Sequence, residues 1–192
     1  MIRLLKISML IVCWLGCTKS PGNTDTNTIP GYQTFTINQG EHYSKPTLAE
    51  TTKKNEIRFK AIFDSSCIYH TVDTTNQRDI NKLYGFSDCN TNHLENSARI
   101  GWRWYNNELQ LLCFVHSNGV IQPDLLIGAV AIGSTINCRI TCLPAKYQFE
   151  VNGVQAEVAR PCTGRESAYK LYPYFGGDET APHLVRVFID EL

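Results

Sequence analysis

The fold is decided by Ser97-Ala-Arg-Ile-Gly-Trp-Arg-Trp-Tyr-Asn-Asn-Glu-Leu-Gln-Leu-Leu-Cys-Phe-Val-His116. Apolar and polar residues alternate on both sides of Asn106-Asn107, which is the pattern of two strands joined by a tight turn. With these asparagines as a two-residue turn, Tyr105 lies opposite Glu108 and all other pairs follow. One face then carries Trp104 opposite Leu109, Trp102 opposite Leu111, Ile100 opposite Cys113 and Ala98 opposite Val115. Because this face is wholly apolar, we predict that it belongs to the core.

The opposite face of the same hairpin is mixed. Its pairs are Arg103 with Gln110, Gly101 with Leu112, Arg99 with Phe114 and Ser97 with His116. Hydrogen-bond donors beside aromatic surface suit a sugar, because a pyranose has hydroxyls around its rim and apolar C–H patches on its faces. This face is therefore a candidate carbohydrate-binding surface. The alternative is that its arginines are solvated side chains on the outside of a sandwich.

The rest of the chain follows the same strand pattern. Ile57-Arg-Phe-Lys-Ala-Ile-Phe63 places four apolar residues on one face, and Leu184 to Ile189 also alternates. Val151-Asn-Gly-Val154 and Ser117-Asn-Gly119 are signals of tight turns. Many short strands without helical periodicity predict an all-β fold, an antiparallel β-sandwich of the jelly-roll type.

The N-terminus has the composition of a secretory signal. Residues 1–17 have a basic start, an apolar run too short to span a bilayer and the ending Leu15-Gly16-Cys17. That ending resembles a bacterial lipobox, which implies lipid attachment at Cys17; an ordinary signal peptide is the alternative. Residues 18–28 are polar and predict a flexible tether, and residues 29–192 form one domain. We expect a cell-envelope protein, anchored to the outer membrane by lipid alone, on either side of it.

Charge and cysteine usage exclude several classes. With 18 basic and 18 acidic residues and no basic run, nucleic acid is not an expected partner. Beyond the N-terminal segment the cysteines are Cys67, Cys89, Cys113, Cys138, Cys142 and Cys162. They show no zinc-site spacing, so neither a metal nor another cofactor is expected. An oxidising compartment permits at least one disulfide among them, and burial of several as apolar residues is the alternative. Cys138 and Cys142 would lie about 13 Å apart along one strand and so cannot bond to each other.

Two longer segments resemble the concanavalin-like jelly rolls of polysaccharide lyases. Asp79-Ile-Asn-Lys-Leu-Tyr-Gly-Phe-Ser-Asp-Cys89, followed by the Ser97-Ala-Arg and Trp102-Arg pattern, is similar to their paired Lys-Leu-x-Gly and Ser-x-Arg strands. Tyr174-Phe-Gly-Gly-Asp-Glu-Thr-Ala-Pro182 is similar to the Phe-Gly-Gly segment before their last strand. The whole chain also resembles small lipoproteins of Bacteroidetes-type bacteria. These resemblances imply a jelly roll acting near glycans.

The resemblance to lyases implies candidate residues. Such enzymes remove a proton α to a uronate carboxylate with a Tyr or His base, while Arg or Gln neutralises the carboxylate. Arg99 matches the Ser-x-Arg position and is the candidate for neutralisation. The base could be His116, His93, Tyr172 or Tyr174, and His116 and Tyr174 are the first choices. Tyr169-Lys-Leu-Tyr-Pro-Tyr174 is only a loose substitute for the Tyr-Lys-x-Gly-x-Tyr segment of many lyases. The paired-acid motif of retaining glycosidases is absent from the sequence, which disfavours that reaction.

Three functions remain open from the sequence. The first is a lipoprotein that binds a polysaccharide, and the second is a polysaccharide lyase. The third is a structural envelope lipoprotein without a small ligand. The candidate ligand-binding residues are Lys82, Arg99, Arg103, Gln110, His116 and Tyr172.

Overall fold

The computed structural model describes residues 28–164 and 168–192, and it shows two packed antiparallel sheets. The predicted lipidation site at Cys17, the signal segment and nearly all of the tether lie outside these residues. The strands of the described ranges are β1 (Gln33–Ile37), β2 (Thr51–Thr52), β3 (Glu56–Phe63), β4 (Asn81–Ser87), β5 (Ser97–Tyr105), β6 (Glu108–Ser117), β7 (Val120–Ile121), β8 (Leu125–Val130), β9 (Thr135–Leu143), β10 (Lys146–Val151), β11 (Val154–Ala159), β12 (Ala168–Leu171) and β13 (Val185–Glu191). Two short 3₁₀ turns, Ser65–Cys67 and Thr74–Arg78, complete the regular structure.

The strand order gives a sandwich. One sheet runs β1-β13-β3-β9-β10-β11, and the other runs β2-β12-β4-β5-β6-β7, with β8 also paired to β6. The predicted all-β jelly-roll class is confirmed. Among the described residues, no helix is long and apolar enough to cross a bilayer.

The β5–β6 hairpin has the predicted register at all nine pairs, from Ser97 opposite His116 to Tyr105 opposite Glu108. Asn106 and Asn107 have φ of 54° and 60°, which matches the right-handed twist of the strands that they join. Trp102 and Leu111 are fully buried between the sheets, while Trp104 packs at the edge of the core. The turns at Asn118-Gly119 and Asn152-Gly153 also have positive φ, as the sequence predicts.

The six-stranded sheet supplies the other half of the core. Ile57, Phe59, Ala61 and Phe63 of β3 are all buried, as their alternation predicts. The last strand begins one residue later than predicted and ends two residues later, at Glu191. Its Phe188 is also buried, on the face opposite that of Val187 and Ile189, so this strand is covered on both sides over part of its length.

One disulfide is present among the described cysteines, between Cys89 and Cys162. Cys138 and Cys142 lie on β9 and form no disulfide with each other, as their spacing predicts. Both are buried, as are Cys67 and Cys113. These four thiols are buried, where a cysteine behaves as a small apolar side chain with only a weak S–H donor.

A buried ion pair lies beside the disulfide. Asp88 and Arg160 have side chains only 1% and 2% exposed. Arg160 Nη2 donates to Asp88 Oδ1 at 3.1 Å, and the Tyr147 hydroxyl donates to Asp88 Oδ2 at 2.8 Å. Burial alone would raise the pKa of Asp88, but the hydrogen bonds from Arg160, the Cys89 backbone and Tyr147 hold it below its usual range. The pair joins the end of β4 to the end of β11.

Replacing one partner of this pair should leave a buried charge unpaired. We expect Arg160→Met to lower the free energy of unfolding at pH 7 by about 3–5 kcal/mol. The ionised Asp88 stabilises the wild type above the ordinary pKa of aspartate, and this contribution is lost as pH falls through its lowered folded pKa. In the variant, Asp88 regains stability by taking up a proton, so the difference between the proteins should shrink as pH falls.

Urea unfolding of both proteins at pH 7 and near pH 4 measures this difference. The double variant Asp88→Asn/Arg160→Met removes both charges and should recover much of the loss at pH 7. An equal loss at both pH values would contradict the assignment of the effect to Asp88.

Candidate functional site

The outer face of the β4–β5–β6 sheet forms the floor of a cleft of about 830 Å³. Lys82, Arg99, Phe114 and His116 reach into it from three adjacent strands. Its walls are Tyr43, Ser44, residues 47–51 and residues 169–174, and exposed Leu94 and Ile121 also line it. Part of the predicted mixed face of the hairpin is thus the floor of a half-open cleft.

A bulge in β4 directs Lys82 to this cleft. The pairing of β4 with β5 shifts between Lys82 and Tyr84, so Leu83 is an extra residue in the strand. Leu83 and Tyr84 are consecutive, yet both pack in the core. A bulge allows this because it breaks the strict alternation of faces. Lys82 therefore stays on the cleft side.

Two glycines make room for the cationic side chains. A Cβ atom at Gly85 would lie 2.9 Å from Arg99 Cγ, and one at Gly176 would lie 2.3 Å from Lys82 Nζ. Each of these Cβ atoms would also clash with a backbone oxygen, of Ala98 at 2.1 Å and of Ile80 at 2.2 Å. These glycines belong to the Lys-Leu-x-Gly and Phe-Gly-Gly segments, so the motifs have a direct steric role at the site.

Arg99 and Lys82 bring two positive charges to the cleft floor, both against the Phe114 ring. Lys82 Nζ lies 4.5 Å from the ring centroid and Arg99 Cζ lies 5.1 Å from it. Arg99 is only 6% exposed, and its Nε has no hydrogen-bond partner among the described residues. Burial lowers the pKa of Arg99 to about 10. Burial, and secondarily the Arg99 charge, lowers the pKa of Lys82 to about 8.

Carboxylates contribute little to the described lining of this cleft. Glu50 is its one acidic residue, and it binds Lys170 at 2.7 Å. Hydrolysis by a retaining mechanism needs two carboxyl groups roughly 5 Å apart across the scissile bond. The described lining offers no such pair.

His116 is held in its neutral form. It is buried beside Phe114, with ring centroids 5.3 Å apart, and its Nδ1 has no hydrogen-bond partner among the described residues. Burial lowers the pKa of His116 to about 4, and the charges of Arg99, His93 and Lys82 add to this effect. A neutral imidazole in this position can accept a hydrogen bond or a proton.

Tyr174 is fixed beside β4 by an antiparallel backbone bridge to Lys82. Its backbone N–H donates to the Lys82 carbonyl at 2.9 Å, and its own carbonyl accepts from the Lys82 N–H at 2.8 Å. Its ring lies 5.5 Å from Lys82 Nζ and is stacked on the His42 ring at 5.3 Å. Burial raises the pKa of the Tyr174 phenol, so the hydroxyl remains protonated near neutral pH.

A second aromatic pair completes the opposite side of the cleft. The Tyr169 hydroxyl accepts from the His93 backbone N–H at 2.8 Å and lies 3.0 Å from His93 Nδ1. Burial lowers the pKa of His93, with a smaller contribution from the Arg99 charge. The neutral ring can therefore accept a hydrogen bond from the Tyr169 hydroxyl. The sequence suggests His93 only as a possible base, and it does not indicate Tyr169 as its partner. The members of this pair are 76 residues apart on a loop and on β12, and no local motif links them.

The structure brings together four of the residues selected from sequence: Lys82, Arg99, His116 and Tyr174. Tyr172 also borders the cleft, but its ring packs against Phe35 and Tyr84 of the core, at centroid distances of 5.6 and 5.5 Å.

Arg103 and Gln110 do not line the cleft. Arg103 Nε donates to Gln110 Oε1 at 2.9 Å, and Arg103 Nη1 reaches the Arg78 carbonyl and Asp124 at 2.9 and 3.1 Å. Both residues lie on the predicted face. Arg103 is four residues beyond Arg99 on β5, and Gln110 is its partner on β6, so both lie outside the cleft. There the Nε and Nη1 groups of Arg103 bind partners within the protein, which is the arrangement expected of a structural arginine.

Comparison with known proteins identifies the fold. No protein-family model matches the sequence, and no curated protein matches it. Solved structures do match. The alginate lyase AlyC3 aligns with a TM-score of 0.58 and 11% identity, over 83% of this chain and 72% of that one. A laminarinase catalytic domain from Thermotoga petrophila aligns with a TM-score of 0.53 and 10% identity, over 85% and 76%.

The fold is a jelly roll shared with polysaccharide lyases and GH16 glucanases. A GH16 protein of Bacteroides ovatus, in complex with a mixed-linkage glucan product, gives a TM-score of 0.53 at 8% identity, over 83% of this chain and 79% of that one. The chain spans 62% of the length of an alginate lyase from Pseudomonas aeruginosa that it also matches. At these identities the comparisons establish the fold, and the chemistry must be argued from the cleft.

The state of His116 can be tested directly. Its ring resonances should show no titration between neutral pH and about pH 5, because its pKa is about 4. Arg99→Gln removes one neighbouring positive charge and should raise this pKa part of the way to its ordinary value, since burial remains. Two-dimensional NMR of the histidine rings measures both effects. A wild-type titration midpoint near 6.5 would contradict the described environment.

Proposed function

We propose that the protein binds an acidic polysaccharide in the cleft over β4, β5 and β6. The observation that carries this proposal is Arg99, which is only 6% exposed, faces the cleft and has no hydrogen-bond partner for its Nε among the described residues. A buried polar group that lacks a hydrogen bond is costly to the folded state. A carboxylate or sulfate of a glycan would provide both the missing charge and the missing acceptor.

The other cleft residues suit the same class of ligand. Lys82 adds a second cation that is attracted to any acidic group bound at Arg99. The rings of Phe114, Tyr169 and Tyr174 offer flat apolar surface for the C–H faces of sugars, and the phenol and imidazole groups offer hydrogen bonds to hydroxyls. The similar solved structures include an alginate lyase and a laminarinase, and this supports a glycan as the ligand.

A second candidate function is β-elimination on a uronate polymer. It is favoured by the convergence of Arg99, neutral His116 and Tyr174 in one cleft. Arg99 would neutralise the uronate carboxylate, and neutral His116 would take the proton α to it. A carbon–carbon double bond would then form as the bond to the leaving glycosidic oxygen breaks, and that oxygen would take a proton from the Tyr174 hydroxyl, which is protonated near neutral pH. With Tyr174 as the base instead, its phenol would first have to lose its proton. The product would be an unsaturated sugar with strong ultraviolet absorbance.

Binding should depend on the charge of Arg99. We expect the wild-type protein to be retarded in gels that contain polygalacturonate or alginate, and not in gels with neutral laminarin. Arg99→Gln should reduce the retardation and raise the dissociation constant by about 10- to 100-fold, because a hydrogen bond to a charged group is lost. Raised salt should weaken wild-type binding, because it screens the attraction.

Arg139→Gln is the matched control, because it removes the same charge from the outer face of the opposite sheet, where Arg139 pairs with Glu150. This control should bind as the wild type does. Thermal unfolding should show that Arg99→Gln remains folded, since it removes a buried group whose Nε has no hydrogen-bond partner in the described ranges. Equal retardation of all three proteins would contradict the proposal and favour a structural role for the domain.

Ultraviolet absorbance of the same polymers separates binding from cleavage. A rise with time that Arg99→Gln abolishes would establish β-elimination. Retardation without such a rise would leave binding as the function of the cleft.

We further propose, from the sequence, that Cys17 carries a lipid that anchors the protein in the cell envelope. Cys17→Ala should abolish incorporation of an alkyne-labelled fatty acid and release the protein from the membrane fraction. Replacing Cys13 by Ala is the control, because that residue would leave with the signal segment. Label retained by the Cys17 variant, or a wild-type protein that is soluble and unlabelled, would reject lipidation at this residue.

A further inference from the structure

Tyr43 is an exposed aromatic residue on the rim of the cleft. It is 68% exposed, the largest exposed fraction among the described aromatic residues of the cleft lining. Its ring meets that of Tyr174 edge-on, with centroids 5.0 Å apart and an angle of 83° between the planes. Most of the Tyr43 ring surface therefore remains in contact with solvent.

The backbone around this ring is firmly held. The His42 carbonyl accepts from the Phe175 N–H at 2.8 Å, and the Ser44 N–H donates to the Pro173 carbonyl at 3.3 Å. Ser44 itself is buried. Residues on both sides of Tyr43 are thus tied to the segment that carries Tyr174, which in turn pairs with Lys82. The backbone of Tyr43 is therefore held close to the cationic floor, and its ring has one edge contact, with Tyr174.

The packing does not require an aromatic ring at this position. The core tyrosines Tyr84 and Tyr147 are buried, and their hydroxyl groups donate to carboxylates. Tyr43, by contrast, contributes little buried surface to the fold. Its backbone is already ordered before binding, which lowers the entropic cost of a stacking contact.

We propose that Tyr43 forms a second sugar subsite, on which the C–H face of a pyranose stacks while an acidic group of the neighbouring unit lies at Arg99 and Lys82. This inference rests on the proposed function and makes it more specific: the ligand is an oligosaccharide segment of at least two units, and a single uronate does not fill the site. Ring stacking supplies affinity through apolar contact, and Arg99 selects for charge.

The test uses size-defined ligands with the purified protein. Galacturonic acid, its disaccharide and its tetrasaccharide, and the matching mannuronate series, are titrated by calorimetry into wild type, Tyr43→Ala, Tyr43→Phe and Arg99→Gln. Wild-type affinity should rise from the monosaccharide to the longer ligands. Tyr43→Ala should weaken binding of the longer ligands by about tenfold, the equivalent of one aromatic contact, and change monosaccharide binding less than twofold.

Tyr43→Phe should keep the affinity, because the ring and not the hydroxyl makes the contact. Tyr105→Ala is the matched control, since Tyr105 lies at the far end of β5, where it contacts Arg78. Sugar protons should also shift upfield in NMR spectra with the wild type and Tyr43→Phe, as expected over a ring face, but not with Tyr43→Ala.

The outcomes separate this subsite from the proposed function. Binding that requires Arg99 but is unchanged in Tyr43→Ala at every ligand length would overturn the subsite alone. Loss of affinity in Tyr43→Phe equal to that in Tyr43→Ala would also overturn it, because the hydroxyl would then be the contact. Absence of Arg99-dependent binding to both series would overturn the proposed function and the subsite together.

Discussion

The register of the β5–β6 hairpin is the constraint on which the core and the cleft both depend. Successive side chains of a strand point to opposite faces, so one register places Trp102 and Leu111 in the core and Arg99 and His116 in the cleft. A shift of one residue would bury the charged set and expose the apolar set. Burial of Trp102 and Leu111 favours this register, and the same register turns Arg99 and His116 toward the cleft. The positive φ of Asn106 and Asn107 fixes the same register locally.

Arg160 and Arg99, the buried arginines of the described ranges, differ in their surroundings. At Arg160, the charge meets a carboxylate that also binds Tyr147, and it donates to two backbone carbonyls. At Arg99, the contacts are aromatic, and its Nε has no acceptor within residues 28–164 and 168–192. The first arrangement stabilises the fold. The second lowers the stability of the unliganded protein and is understandable if a ligand provides the remaining partner.

Much of the sheet structure could be predicted because its signals are local. The alternation in β3, the three Asn-containing turns and the pairing of β5 with β6 require only neighbouring residues. The composition of the cleft was partly predictable for the same reason, since Arg99 and His116 share a face of that hairpin. Arg103 shares that face too, yet Asp124 and the Arg78 carbonyl occupy it. Which of two similar arginines remains available depends on loops that the strand pattern does not specify.

The remaining parts of the cleft depend on contacts between distant segments. The bulge that directs Lys82 outward, the meeting of His93 with Tyr169 and the position of Tyr43 over Tyr174 all join parts of the chain that share no periodicity. The disulfide between Cys89 and Cys162 reinforces two of these segments, because the loop that follows Cys89 carries His93 and the segment that follows Cys162 leads to β12. Spacing in the sequence did not reveal this pairing.

The position of β13 between β1 and β3 has a consequence for the order of folding. β4, β5 and β6 are consecutive in sequence, so the cleft floor can assemble by closing short loops. β1 pairs with β13 across almost the whole described chain, from Gln33 opposite Ile189 to Ile37 opposite Val185. Such a long closure is entropically unfavourable until other contacts hold the ends near each other. The floor of the cleft is therefore expected to form early, and the sheet that backs it to close last, when β13 enters between its two neighbours.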